Sequence, residues 1–270
     1  MSARCKEAGE HSCACASSGK AIASLCQGRG RDRLTASLLG SQLNGAGSVC
    51  DFETHGILPP LAEDEYPLDT ARVREFIAET RKRIRQAESP RGACEQISPL
   101  FAELLADPDW LPATYQASAT ESGMGGGIGQ WLVFRAADRS LSLFSLVVPT
   151  GAMTPVHDHL AWGLVGVYEG NQDEEFYRPA DGRLDLVRRR PLDPGDFYTL
   201  LPPRDDIHRV RTTSNETSVS IHLLANDTGC VWRHTYDDLT GEASPFRSGY
   251  VNAACSNGEP KPRTIRPAVH

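Results

Sequence analysis

Two histidines stand inside a frame of turn glycines near the middle of the chain, and this segment limits the possible folds more than any other. His157 and His159 lie between Gly151 and Gly163, with Gly170 beyond, in the pattern G-x5-H-x-H-x3-G-x6-G. Side chains alternate across a β-strand, so histidines at positions i and i+2 of a strand point to the same face. The pattern therefore predicts a strand that carries two imidazoles on the inner face of a small β-barrel, where they can hold a metal ion.

Composition indicates a globular protein. The chain has 270 residues, 40% of them hydrophobic, which suits one barrel-sized domain with extra segments. It contains no run of about 18 apolar residues, so we expect no membrane span. The net charge of −7 argues against a nucleic acid partner. We expect a cytoplasmic protein and leave its oligomeric state open.

The first 60 residues differ in composition from the rest of the chain. Residues 1–50 contain five of the eight cysteines and, with six Lys/Arg against three Asp/Glu, carry a net charge of +3. Their Ser, Gly and Ala content predicts a disordered leader over 1–60. Three other interpretations stay open: a metal site formed by His11, Cys13 and Cys15, a targeting tail, and an extension that results from a misplaced start codon.

Two amphipathic helices are predicted between residues 68 and 112. In the first, buried positions recur at helical spacing: Val73, Phe76, Ile77, Thr80 and Ile84. We expect Asp69 to cap this helix and Pro90 to end the segment. The second helix is predicted from Ala93 to Ala106, and it ends before Pro108.

Short β-rich segments with turn signals between them dominate residues 113–252. We expect strands at Trp131–Phe134, Leu141–Val148, Trp162–Tyr168, Glu174–Tyr177, Leu184–Val187, Phe197–Leu201, Val210–Thr212 and Ser218–Leu224. Turn sequences such as Ala180–Gly182 and Asp193–Gly195 separate them. Many short strands at near-regular spacing predict an antiparallel jelly-roll barrel, followed by a tail over 253–270.

His208 is the best candidate for a third metal ligand. It follows the strand Phe197–Leu201 and a loop, 51 residues after His157. Sites with three histidines accommodate iron, nickel, copper or zinc, and the ligand type alone does not select among these metals.

With the three histidines in place, the chain resembles the thiol dioxygenase branch of the cupins, the cysteine dioxygenase and 3-mercaptopropionate dioxygenase family. The resemblance covers residues 113–252 and rests mainly on four segments: Thr154–Gly163, Ser220–His222, Asn226–Gly229 and Ser248–Asn252. It implies a mainly β fold, the cupin double-stranded β-helix (jelly-roll barrel), with two N-terminal helices packed outside. It also implies Fe(2+) on His157, His159 and His208, with nickel, zinc and copper as alternatives.

The resemblance further implies a non-haem iron thiol dioxygenase, which adds both atoms of O2 to the sulfur of a small thiol carboxylate and gives a sulfinate. The substrate would be 3-mercaptopropionate-like, cysteine or mercaptosuccinate. Gln130 and Arg233 would bind its carboxylate. Alternatively, Gln130 is an exposed loop amide and Arg233 is a surface guanidinium, and neither has a role in binding. Ser220 and His222 would support the site by hydrogen bonding, with Trp162 beside them.

One position departs from the general cupin motif and another from the thiol dioxygenase family. Gly163 stands where a cupin normally has a carboxylate, four residues after His159. We therefore expect three neutral imidazoles with no protein anion to offset the metal charge, which favours an anionic substrate. Leu224 stands where family members have a catalytic tyrosine. A replacement hydroxyl would have to come from another tyrosine; the candidates are Tyr168, Tyr198, Tyr236 and Tyr250.

Two other functions stay open. Leu224 removes a polar group that thiol chemistry in the family uses, so the same metal site could cleave carbon–carbon bonds in a non-thiol organic acid. The barrel also serves unrelated functions, and a non-catalytic ligand-binding or sensory cupin is the second alternative. The first would consume oxygen with non-thiol acids, whereas the second would bind a ligand without turnover.

Overall fold

The computed structural model describes residues 58–120, 123–180 and 182–255. The predicted leader over 1–60, including His11, Cys13 and Cys15, lies outside these residues apart from its last three positions. Most of the predicted tail over 253–270 also lies outside them.

Two helices precede the strands, α1 at Ala71–Gln86 and α2 at Pro90–Ala106. The side chain of Thr70 caps α1 by accepting a hydrogen bond from the backbone N–H of Val73. The prediction that Asp69 caps this helix was therefore wrong by one residue. Neither helix is long and apolar enough to cross a bilayer.

Pro90 begins α2 instead of closing the segment before it, so that prediction was also wrong. Ser89 caps the helix by accepting from the N–H of Gly92, and Pro90 occupies the first turn. Proline fits there because the first helical N–H groups have no intrahelical acceptor and because its φ suits a helix.

The strands form two antiparallel sheets. Their bounds are β1 Gly129–Arg135, β2 Ser142–Val148, β3 Val156–His157, β4 Gly163–Glu169, β5 Gln172–Ala180, β6 Arg183–Leu192, β7 Phe197–Leu200, β8 His208–Thr212, β9 Ser218–Leu224, β10 Arg233–Tyr236 and β11 Ala243–Phe246. One sheet has the order β1-β2-β9-β4-β7 and the other the order β11-β10-β3-β8-β5-β6. A short 3-10 helix, Ala113–Gln116, precedes β1. The eight strands predicted in residues 131–224 are all present, and β3 corresponds to the strand predicted from the histidine motif, whereas β10 and β11 were not predicted.

The five-stranded sheet separates two apolar cores. Its outer face packs under the helices through residues such as Leu143 and Val147, which alternate with the inward-facing Phe144 and Leu146. Gly166 of β4 lies directly under α2, where a Cβ atom would be 2.6 Å from a methyl carbon of Leu105. The predicted architecture is confirmed: a mainly β double-stranded β-helix, built from two antiparallel sheets, with two helices packed outside.

A disulfide ties the end of the described chain to the barrel. Cys230, in the loop after β9, pairs with Cys255 and closes a segment of 25 residues that contains β10 and β11. Since this bond restricts the unfolded chain, Cys255→Ala should lower the free energy of unfolding by about 2–4 kcal/mol in denaturant titrations. Reductant should lower the midpoint of the wild-type protein but not that of the variant. Equal sensitivity of both proteins to reductant would contradict a stabilising disulfide at this position.

Candidate metal centre

Three buried imidazoles meet on the inner face of the six-stranded sheet. His157 of β3 and His208 of β8 are direct register partners, and His159 follows two residues after His157. One ring nitrogen of each lies within 4.8 Å of the others, and the ring centroids are 5.0, 4.8 and 4.7 Å apart. The structure thus brings the three histidines selected from the sequence into one group that can hold a metal ion.

The strand predicted to run through both motif histidines ends at His157, so that expectation was wrong. Asp206, from the loop before β8, holds His159 instead. Its carboxylate accepts hydrogen bonds from the backbone N–H groups of His159 (2.9 Å) and Leu160 (3.2 Å). Leu160 has a φ of +52°, a left-handed conformation that bulky residues rarely adopt. The shared orientation of the two rings therefore depends on a turn held by a carboxylate.

The Nδ1 atom of each ring is engaged, which leaves Nε2 available. Nδ1 of His157 lies 2.9 Å from the carbonyl oxygen of Pro155, that of His159 lies 3.3 Å from Asp206, and that of His208 lies 3.0 Å from Glu174. An acceptor at Nδ1 fixes the proton there and leaves Nε2 as the metal-binding atom. Nε2 of His208 is buried and has no hydrogen-bond partner. This donor set fits a transition-metal ion.

Burial disfavours the charged form of two of the ligand rings and of His222. Burial, followed by the neighbouring His208, lowers the pKa of His157 and of His159 well below the usual 6.5. Burial also lowers the pKa of His222 to about 3, with smaller contributions from His208 and Arg233. Because only a neutral imidazole can donate its lone pair to a metal, burial favours the binding form of His157 and His159.

Among the described residues, the group that could hold a metal consists of three imidazoles, as expected. Two buried carboxylates that the sequence analysis did not expect stand behind them. Glu174 reaches His208 from β5, and Asp206 reaches His159 from the loop before β8. Burial and the nearby carboxylate of Asp158 raise the pKa of Asp206 to about 7. These carboxylates contact the Nδ1 atoms of the histidines and do not occupy ligand positions in the motif. The motif spacing therefore gives no sign of them.

Gly163 has no room for a side chain. A Cβ atom there would lie 2.0 Å from the carbonyl oxygen of Leu223 and 2.9 Å from a methyl carbon of Leu224. A carboxylate at this position is therefore sterically excluded in this barrel. We expect Gly163→Ala to lower the free energy of unfolding by about 1–3 kcal/mol or more, as overpacking does. Denaturant titration measures this, and Gly92→Ala in the first turn of α2 is the control, because a Cβ atom there would meet only the Ser89 hydroxyl at 3.3 Å. Unchanged stability of Gly163→Ala would contradict the close β4–β9 packing.

Arg233 carries a buried positive charge next to the histidines. It is 2% exposed, and its guanidinium donates to the carbonyl oxygens of Thr228 and Asp158 and to the hydroxyl of Ser248. Within the described residues, no carboxylate lies within ion-pair distance of it, and burial lowers its pKa to about 10. The guanidinium lies 4.7 Å from the ring centroid of Phe246, a ring that also neighbours His157. The alternative of a surface guanidinium was therefore wrong.

Gln130 is also buried, so the alternative of an exposed loop amide was wrong as well. It is 3% exposed in β1, and neither its amide nitrogen nor its amide oxygen has a hydrogen-bond partner. It pairs with Leu146, which in turn pairs with Ser220, so all three belong to one row across the five-stranded sheet. An unpartnered buried amide is costly unless a ligand or water satisfies it.

The residues expected to support the site divide into two groups. The Ser220 hydroxyl lies 3.1 Å from Nε2 of His222, and the His222 ring stacks on Phe144 and lies 6.3 Å from the His159 ring. Trp162, in contrast, packs with the core under the helices. Ser220 and His222 are therefore close to the three histidines, and the Trp162 side chain belongs to the other core.

The four tyrosines considered as replacements for the hydroxyl missing at Leu224 all have a hydrogen-bond acceptor within the protein. Leu224 is buried and packs in the apolar core between the sheets. Each of the four candidates donates to a protein acceptor: Tyr168 to Pro108, Tyr198 to Glu174, Tyr236 to Asp158 and Tyr250 to Asp227. The sequence analysis did not identify Glu174 and Asp206 as site residues. For Glu174, an acidic residue at an inward position of a predicted strand was a usable signal.

Comparisons with known proteins found only weak structural likenesses. No family model matches the chain. Among solved structures, Peruvianin-I, titled a cysteine peptidase from Thevetia peruviana latex, is 20% identical over 45% of this chain and 74% of its own, with a TM-score of 0.34. A Cupin_2 domain of an XRE family transcriptional regulator from Enterobacter cloacae is 19% identical over 36% and 94%, with a TM-score of 0.28. Bacillus subtilis oxalate decarboxylase, in a study of its Mn(II) centres, is 20% identical over 33% of this chain and 22% of its own, with a TM-score of 0.27.

Proposed function

We propose that this protein is a non-haem iron thiol dioxygenase, which adds both atoms of O2 to the sulfur of a small thiol carboxylate and gives a sulfinate. The observation that carries the proposal is the convergence of His157, His159 and His208 beside a buried guanidinium that has no carboxylate partner among the described residues. The first feature supports a metal, and the second supports an anionic substrate. The thiol rests on the resemblance of Thr154–Gly163 and Ser220–His222 to the thiol dioxygenases.

His157, His159 and His208 would hold the metal through Nε2. Iron(II) in that place would supply a centre at which a thiolate and dioxygen can react together. Burial favours the neutral form of His157 and His159, and a contact at Nδ1 fixes each of the three rings. No ligand type in this set selects iron over nickel, zinc or copper, so iron is part of the proposal.

Arg233 and Gln130 would hold the substrate carboxylate. A guanidinium has five N–H groups, of which Arg233 uses three in its contacts with Thr228, Asp158 and Ser248, so two remain for a ligand. Its charge would pair with the carboxylate in a site from which water is excluded. Gln130 offers an amide N–H2 group without a partner, and substrate binding would remove the cost of burying it.

Ser220 and His222 would form a polar wall behind the ligands. The pKa of about 3 keeps His222 neutral, so it adds no positive charge to the pocket. Its Nδ1 is buried without a partner and can contact a bound molecule. These features suit a substrate with one anionic end bound by Arg233.

Leu224 favours a second candidate function, oxidative carbon–carbon cleavage of a non-thiol organic acid. The four candidate tyrosines, Tyr168, Tyr198, Tyr236 and Tyr250, each donate their hydroxyl to a protein acceptor and not to a free site beside the histidines. A site of this kind would keep the metal and Arg233 and would lack the polar group that thiol oxidation uses in the family.

Oxygen consumption separates the two candidates. Protein purified without air and reconstituted with iron should consume oxygen with 3-mercaptopropionate, cysteine or mercaptosuccinate. It should not do so with propionate or succinate, which match two of these thiols in carbon skeleton but lack sulfur. Uptake with non-thiol acids alone would favour carbon–carbon cleavage. Bound iron with no uptake on any of these acids would contradict the proposed function.

A further inference from the structure

Glu174 is a buried carboxylate that faces the barrel interior from β5. Its side chain is completely buried, whereas the adjacent Glu175 points to the opposite face and forms an ion pair with Arg189. Alternation along the strand thus places two glutamates with identical chemistry in opposite environments. Glu175 therefore provides a matched comparison for any effect of Glu174.

The contacts of Glu174 lead to a single metal ligand. Its Oε2 atom lies 3.0 Å from Nδ1 of His208 and accepts a hydrogen bond of 2.5 Å from the hydroxyl of Tyr198. Its other oxygen, Oε1, is buried and has no hydrogen-bond partner. Within the described residues, no lysine or arginine lies within ion-pair distance of this carboxylate.

Asp206 stands behind His159 in a similar way but has other support. It accepts from two backbone N–H groups, those of His159 and Leu160, and its contact with the His159 ring is longer, at 3.3 Å. The carboxylate of Glu174 has no backbone donor. Of the two, Glu174 therefore depends more strongly on the imidazole that it contacts.

A buried carboxylate without a cation is unfavourable, because no nearby opposite charge offsets its desolvation free energy. An imidazole can offset this cost when a metal ion on its Nε2 polarises its Nδ1–H group. Tyr198 donates to this carboxylate, and its hydroxyl also lies 3.4 Å from the same Nδ1 atom. A metal ion on Nε2 of His208 would bring a positive charge to the other side of that ring.

We propose that Glu174, held by Tyr198, is a positioning residue that fixes the His208 ring for metal binding and supplies the counter-charge for the bound ion. The inference rests on the metal site of the proposed function and not on thiol oxidation. It implies that Glu174 contributes to metal affinity and does not contribute to the stability of the metal-free fold.

Metal affinity and metal-free stability, measured on the same variants, test this inference. For Glu174→Gln, competition with a chelator should give Fe(II) or Zn(II) binding about 10- to 100-fold weaker than in the wild type. Glu175→Gln should bind these ions like the wild type.

The melting temperature of metal-free Glu174→Gln should equal or exceed that of the metal-free wild type, since removal of an uncompensated buried charge is neutral or stabilising. The rise in melting temperature on metal loading should be smaller in this variant.

Tyr198→Phe keeps the charge of Glu174 and removes the hydroxyl that holds it, so its loss of metal affinity should be smaller than that of Glu174→Gln. Wild-type metal affinity in Glu174→Gln would overturn the inference while leaving the proposed function intact. A melting temperature of metal-free Glu174→Gln well below that of the wild type would also overturn it, because the carboxylate would then support the fold itself. A wild-type protein that binds neither metal would contradict both the inference and the proposed function.

Discussion

Replacing His208 with alanine should abolish stoichiometric metal binding. The Nε2 atom of His208 is buried without a partner, and it is one of three ring nitrogens that lie within 4.8 Å of one another. Two imidazoles cannot hold the ion as three do, so the loss should exceed the ~10- to 100-fold typical of a residue that only hydrogen-bonds to a ligand. Metal content after dialysis, chelator competition and oxygen uptake measure this effect.

The matched control for this variant is His270→Ala, which removes a histidine outside the motif. Circular dichroism of both variants should match that of the wild type, because the barrel core does not depend on the metal. If His208→Ala retained one metal ion per chain with wild-type affinity, the three-histidine centre would be wrong.

Arg233→Met should reduce kcat/KM for thiol carboxylates by about 30- to 5,000-fold, equivalent to 2–5 kcal/mol, because the substrate carboxylate would lose its charged partner. Methionine keeps the apolar contact with Phe246 and removes the charge. A thiol that carries a hydroxyl group in place of the carboxylate, such as 3-mercaptopropanol, should lose far less. Steady-state kinetics with both substrates separate loss of charge recognition from general damage to the site.

Arg189→Met provides the control for this second variant, since Arg189 is an exposed arginine whose partner is Glu175. It should have wild-type kinetics. Equal losses for the charged and the uncharged thiol in Arg233→Met would contradict a role in carboxylate binding. A wild-type kcat/KM in this variant would contradict it as well.

The ligand set could be predicted because it is encoded by local spacing and by one later histidine. The spacing of His157 and His159, with Gly151, Gly163 and Gly170 around them, indicates a metal-binding barrel. This inference requires no information about tertiary contacts. The helices were found from their periodicity, because apolar residues on one face must pack against the five-stranded sheet.

The carboxylates behind the ligands could not be predicted in the same way. Glu174 and His208 are 34 residues apart, and Asp206 and His159 are 47 residues apart, so these contacts depend on the pairing of β3, β5 and β8. The two-residue strand β3 is also too short to give an alternating pattern. Its position in the sheet comes from its neighbours β8 and β10.

The burial of Gln130 and Arg233 was likewise open in the sequence. A glutamine after a glycine-rich segment and an arginine after Trp232 are compatible with exposed loops. Their burial follows from β1 and β10, which turn these side chains into the barrel. For both residues, burial is determined by the tertiary structure and is not visible in the local sequence.

The source of the oxygen atoms in the product tests the central claim most directly. Iron-reconstituted protein should be incubated with 3-mercaptopropionate, cysteine or mercaptosuccinate under 18O2 in ordinary water, and the product should be analysed by mass spectrometry. A thiol dioxygenase predicts a sulfinate that carries two 18O atoms and is absent when His208→Ala replaces the wild type. A product with no label from O2, or only the disulfide of the starting thiol, would contradict the proposed function.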